Sequence, residues 1–200
     1  MRRMTKQSLS EKDVHRLLAD PSVEARAETA AKIAANFDPG VLSDKERQMA
    51  EEIFRVMVKD AEVRVREALA DNLKENAAVP HDVAKALAGD VDSVALPVLE
   101  FSKVLNDQDL IEIVRSQGPA KQVAIAKRDV VSKGLSGALV DAGNEKAVTT
   151  LVANEGAEIS ERSLTKVVDD FGEIEAVQNA MVHRPKLPVA ISERLVTMVS

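Results

Sequence analysis

The sequence predicts an all-α protein, built as stacked antiparallel helical hairpins in an irregular α-solenoid of about a dozen short helices. Three observations lead there. Apolar residues recur at helical spacing, no stretch alternates with period two between hairpin turns, and the chain repeats itself, first at an offset of 40 residues and later at 28. The composition agrees: 45% of the 200 residues are apolar, but only Phe37, Phe54, Phe101 and Phe171 are aromatic. An interior of Ala, Val, Leu, Ile and Met suits closely spaced helices better than a β-sandwich.

In chain order, the spacing predicts helices near 11–19, 22–37, 44–59, 61–75, 81–88 and 93–105. Ser10 with Asp13, and Ser43 with Glu46, have the form of capping boxes, in which a hydroxyl accepts a backbone N–H and a carboxylate sits in the first turn. Val23, Ala27, Ala30, Ala31, Ala34 and Phe37 form one apolar stripe, ended by Asp38-Pro39-Gly40. Met49, Ile53, Val56 and Met57 form the next. Pro97 is expected in a first turn capped by Ser93, or at a kink. Downstream the helices shorten, with Asn106, Asn144 and Ser160 as N-caps and Pro119 and Pro188 at first helical positions. Gly89, Gly118, Gly143, Gly156 and Gly172 are expected as C-terminal stops.

The repeats are specific. Asp20, Val23, Arg26, Ala30, Ile33 and Asn36 align at an offset of 40 with Asp60, Val63, Arg66, Ala70, Leu73 and Asn76. In the second half, Val131, Ile159 and Leu187 align at 28, as do Ser132, Ser160 and Pro188, and Leu139, Val167 and Leu195. The middle copy departs, with Ser163 opposite Leu135 and Ile191. One hairpin has no way to bury its apolar face alone, so neighbours must stack. The change of period divides the chain into N-terminal repeats over 1–90 and shorter hairpins over 91–200.

The segments Asp20-Pro21-Ser22-Val23-Glu24-Ala25-Arg26 and Asp60-Ala61-Glu62-Val63-Arg64-Val65-Arg66 resemble the second-helix signature of HEAT repeats, an Asp at the helix start followed by a Val-Arg pair. Only the second copy has the adjacent pair. A wider pattern includes Leu17-Leu18-Ala19-Asp20, Leu96-Pro97-Val98-Leu99-Glu100-Phe101-Ser102, Ala138-Leu139-Val140-Asp141-Ala142-Gly143-Asn144 and His183-Arg184-Pro185. It resembles a family of bacterial proteins, mainly alphaproteobacterial, known only as a domain of unknown function. That resemblance implies a HEAT-like array and a bacterial cytosolic setting, and brings no catalytic residues.

Residues that carry chemistry are sparse. Zero Cys excludes disulfides, thiol nucleophiles and Cys-ligated metals. His15, His81 and His183 are far apart, without metal-ligand spacing. Gly134-Leu135-Ser136-Gly137 reads as close packing within a helix rather than a nucleotide loop, and Asp169, Asp170, Glu173 and Glu175 as a solvated turn. No catalytic, cofactor or metal site is expected, and no enzyme activity. A net charge of −6 and scarce aromatics disfavour nucleic acid. No run reaches the roughly 20 apolar residues of a membrane span. Arg2, Arg3 and Lys6 precede no apolar stretch, so a cytoplasmic protein is expected.

Six residues are candidates for binding a partner: Arg26, Arg64, Arg66, Arg128, His183 and Arg184. Arg26, Arg64 and Arg66 lie on equivalent helices of adjacent repeats, Arg128 and Arg184 match at twice the 28-residue offset with Gly156 interrupting the series, and His183 beside Arg184 falls in a loop between repeats. Two roles are open to the guanidiniums. Either they stitch repeats together through helix-end carbonyls and neighbouring acids, or they form a row facing a ligand's carboxylates or phosphates. The expected function is a non-catalytic scaffold or adaptor that binds another protein, possible regulation and self-association included; the alternative is a HEAT-like DNA-binding or DNA-repair protein.

Overall fold

A computed structural model describes residues 22–38 and 40–199. The expected helix at 11–19, its Ser10–Asp13 cap, His15, Asp20 and Pro39 lie outside the described residues. Those described form twelve α-helices and no strand; the sole β-feature among them is an isolated bridge between Val131 and Ala157. By internal packing the described residues divide into two compact units, one of those up to 98 with 102–105, the other of 99–101 and those from 106 onward.

The first unit holds α1 (Val23–Ala35), α2 (Asp44–Met57), α3 (Val63–Leu73), α4 (His81–Ala88) and most of α5 (Asp92–Phe101). The 40-residue period survives in the helix starts, Val23 and Val63, and these two helices pack against each other. Ala30, Ile33 and Ala34 meet a buried face of Val65, Leu69, Ala70 and Leu73. Alanine on α1 lets the backbones approach, and the space left over is filled by Phe37 and Phe54, whose rings meet edge to face at 5.1 Å. The Ser43–Glu46 capping box forms as expected, and Ser22 caps α1.

The stripe expected on α2 is rotated. Met49 and Val56 are exposed, while Ala50, Phe54 and Met57 are buried at i, i+4 and i+7. The aromatic ring, with the largest area to hide, sets which side of α2 faces inward. Of the two expectations for Pro97, the first-turn place capped by Ser93 fails. Ser93 lies inside α5 rather than capping it, and Val91 is the N-cap, so the proline is interior. It removes one intrahelical bond shortly before the helix ends at Phe101.

The second unit continues with α6 (Asp107–Ser116), α7 (Pro119–Ala126), α8 (Lys133–Ala142), α9 (Glu145–Ala153), α10 (Glu161–Phe171), α11 (Glu175–Val182) and α12 (Val189–Val199). Helices α6, α8, α10 and α12 pack in succession in one layer, and α7, α9 and α11 in the other. Short turns join each helix to the opposite layer, which is the hairpin stacking the repeats predict. Helix starts at Lys133, Glu161 and Val189 preserve the 28-residue period. Leu139, Val167 and Leu195 are buried at equivalent positions.

Ser163 takes the core place that Leu135 and Ile191 hold in the flanking copies, and its hydroxyl is bonded to the Ser160 cap at 2.9 Å. Asn106, Ser132, Asn144 and Ser160 all cap helices through their side chains. Gly143 ends α8 with φ at +71°, a backbone conformation that L side chains resist. Gly118 precedes α7 as its N-cap instead of ending α6.

Candidate functional site

The guanidiniums of Arg26 and Arg66 each grip the Asp that opens the next segment. Arg26 holds the Asp60 carboxylate through Nε at 2.8 Å and Nη2 at 3.1 Å. Arg66 holds Asp90 at 2.5 and 2.9 Å, and also donates to the Asp60 carbonyl at 2.6 Å. The Asp60 and Asp90 carboxylates in turn accept the backbone N–H of Glu62 and Val91. The hydrogen bond from Arg26 holds the Asp60 carboxyl below its ordinary value, against some burial. The D-x-x-V-x-x-R pattern is thus a ladder: the arginine of one segment fastens the aspartate of the next.

In the second unit the same task falls to bonds with backbone carbonyls. Arg128 donates to Leu99, in the last turn of α5, at 2.5 Å. Asn154 donates to Ala126 and Arg128, at the end of α7, at 2.9 and 2.7 Å. Arg184 donates to Val152 and Asn154, at the end of α9, and to Ala157, at 2.7, 3.0 and 2.7 Å. Each helix end in this layer leaves carbonyls without intrahelical partners, and the side chain one repeat further on satisfies them. Burial pulls the guanidiniums of Arg128 and Arg184 below the usual arginine value; nearby Asp107, Asp129 and Glu155 pull the other way.

Gly156 explains why the arginine series skips a copy. A Cβ there would lie 1.9 Å from the Asp129 carbonyl oxygen, because the two inter-repeat loops touch. The Val131 N–H donates to Gly156, and Val131 accepts from Glu158. With no side chain tolerated at 156, Asn154 supplies the stitch. Nothing in the 28-residue alignment pointed to Asn154.

The remaining two candidates are exposed. Arg64 meets Glu24 at 3.2 Å with both side chains about two-thirds in solvent. The His183 Nδ1 lies 2.7 Å from the Asn179 carbonyl on the surface. Five of the six candidates, Arg26, Arg64, Arg66, Arg128 and Arg184, thus reach a neighbouring repeat, Arg64 only through an exposed pair, and His183 stays with its own helix end.

A broader feature lies on the α7, α9 and α11 layer. An open groove of about 820 Å³ runs past Glu100, Val123 and Lys127, along Glu145, Lys146, Thr149 and Thr150 of α9, to Ala176 of α11. The hydroxyls of Thr149 and Thr150 donate to the carbonyls of Glu145 and Lys146, so their polar ends are engaged by the helix itself. The groove wall therefore combines methyl surface with charges of both signs. Among the described residues no group of acidic, His or Cys side chains is arranged to hold a metal ion, and no helix is long and apolar enough to cross a membrane.

These features define an all-helical protein of stacked hairpins in a solenoid-like arrangement. The chain belongs to the bacterial family described as "Uncharacterised protein conserved in bacteria (DUF2336)", whose model matches residues 94–200. That span covers the carbonyl-stitched repeats and the groove. No curated protein and no solved structure matches the chain.

Proposed function

We propose that this protein is a non-catalytic, HEAT-like adaptor of the bacterial cytosol that binds a segment of another protein along the α7–α9–α11 groove. The observation that carries the reading is the groove itself, which crosses successive repeats and carries Lys127, Lys146, Glu100 and Glu145 on a partly apolar wall. A surface of that kind matches an extended or helical segment with both charges. The Arg26–Asp60 and Arg66–Asp90 pairs supply the charge ladder a HEAT-like array needs, and support that assignment.

Affinity purification from the native cytosol tests the proposal, comparing the wild type with the charge-reversed double variant Lys127→Glu, Lys146→Glu. The expected result is one partner held at micromolar protein by the wild type and lost from the variant at unchanged melting temperature. Retention that ignores the reversal, or no partner across several growth conditions, contradicts it. Tight, salt-sensitive retention of duplex DNA in a gel shift would favour the DNA-binding alternative.

A further inference from the structure

On the other layer of the second unit, α6, α8 and α10 enclose a cleft of about 250 Å³. An adjoining cleft of about 300 Å³ shares Arg115, Ala138 and Asp141 with it. Four basic side chains line the first cleft: Arg115 from the last turn of α6, Lys133 from the start of α8, and Arg162 and Lys166 from α10. They face a single lining carboxylate, Asp141, to which Lys166 is bonded at 2.7 Å. Among the described residues the side chains of Arg115, Lys133 and Arg162 make no hydrogen bond or close ion pair, unlike the arginines spent on the ladder. Their fields do converge. The Asp141 carboxyl is held below its usual value by Lys166 first, and by Arg162 and Arg115 at longer range. In a chain of net charge −6, four cations facing one carboxylate at a cleft stand out against the average.

The cleft floor is the second observation. Gly134 and Gly137 lie on the lining face of α8, between Lys133 and Asp141. A Cβ added at Gly137 would meet nothing nearer than the Ser163 hydroxyl at 3.8 Å, and one at Gly134 nothing nearer than the Ser132 hydroxyl at 3.9 Å. Close helix packing, the reading the sequence invites, therefore does not require either glycine. A glycine inside a helix weakens it relative to alanine, so its presence here needs another reason. Bare backbone lets a ligand group sit against α8 beneath the basic side chains.

We propose that this cleft binds a phosphate monoester dianion, with Arg162 and Arg115 bonding its oxygens, Lys133 adding charge, and the Gly134–Gly137 backbone as its floor. Planar guanidiniums match phosphate oxygens pairwise, and a dianion balances the surplus charge that a single carboxylate would leave. The N-terminal turn of α10, which reaches the cleft at Ser160 and Ser163, adds favourable polarity. The ester has two sources, a small phosphorylated metabolite or a phosphorylated side chain of a protein. The inference is independent of the groove on the opposite layer.

Calorimetric titration of the full chain at low ionic strength tests it, with phenyl phosphate, benzoate, and a serine pentapeptide in phosphorylated and unphosphorylated forms. Phenyl phosphate is expected to bind at least about tenfold tighter than benzoate, and the phosphopeptide tighter than its unmodified form. A phosphopeptide tenfold tighter than phenyl phosphate assigns the site to a protein ligand; equal or weaker binding assigns it to a small ester. The double variant Arg162→Ala, Lys133→Ala should weaken phenyl phosphate by about tenfold or more. Asp141→Asn should tighten it several-fold, because it removes the opposing charge and releases Lys166, an effect that misfolding does not imitate. Gly137→Ala should weaken binding while raising the melting temperature by about 2–4 °C. Benzoate binding as tightly as phenyl phosphate, indifference to the Arg162/Lys133 variant, no gain in Asp141→Asn, or a lower melting temperature in Gly137→Ala would each overturn the proposal.

Discussion

Replacing Arg184 by Ala should loosen the second unit although the residue is only partly buried and touches no other side chain's charge directly. Its guanidinium holds three carbonyl oxygens, those of Val152, Asn154 and Ala157, within 2.7–3.0 Å. A hydrogen bond to a charged group is worth about 1.5–3 kcal/mol, and a buried acceptor left alone costs about 1–3 kcal/mol. The three bonds are not additive, because two of the oxygens belong to one helix end and water reaches the half-exposed side chain. Discounting for both gives a loss of about 2–3 kcal/mol. For a chain of this size that corresponds to a fall in melting temperature of roughly 5–10 °C. Lysine at 184 should recover only part of it, since one ammonium does not span three carbonyls held in a planar fork. Thermal unfolding followed by circular dichroism reads the change, with Arg64→Ala, at an exposed pair, as the control that should move nothing measurable. An Arg184→Ala protein that melts with the wild type would refute the reasoning, because the carbonyl bonds would then be incidental to the stacking.

Gly156→Ala should cost about 2–4 kcal/mol, because the new methyl would displace the loop that pairs with Val131; a lower urea midpoint checks it. Leu139→Ala, at a fully buried place in the α8 face, should lose about 2–5 kcal/mol by the same measurement. Ser136→Ala should be neutral or stabilising, since the buried hydroxyl has no hydrogen-bond partner among the described residues. The Arg26 bond lowers the folded-state pKa of Asp60, so its contribution is full above the unfolded value near 3.8 and is lost as pH falls through the folded one. Asp60→Asn should therefore flatten the pH dependence of the melting temperature below about pH 4 while leaving its slope near neutrality unchanged.

The architecture was legible in the sequence because helix starts leave local chemical marks. Ser43, Asn106, Asn144 and Ser160 cap the helices they were expected to cap, and the 40- and 28-residue periods reappear as helix starts. What failed depended on tertiary contact. The α2 face turned on whether Phe54 or Met49 finds a partner, and Phe37, just beyond the end of α1, decided it. The arginines were visible as a series, but which of the two roles they fill depends on how far each reaches, and Arg128 reaches 29 residues back. Asn154 was hidden because it compensates for a steric demand at Gly156 that only the folded loops create. The basic cleft was invisible for a similar reason: Arg115, Lys133, Arg162 and Lys166 come from three helices and share no motif.

The stitched stack is tested most directly by exchange of the guanidinium protons themselves, read from arginine side-chain 1H–15N spectra of the intact protein. Arg128 and Arg184, held by helix-end carbonyls, should give separate, slowly exchanging signals, and Arg64 a solvent-averaged one. Arg128 and Arg184 exchanging as fast as Arg64 would contradict it.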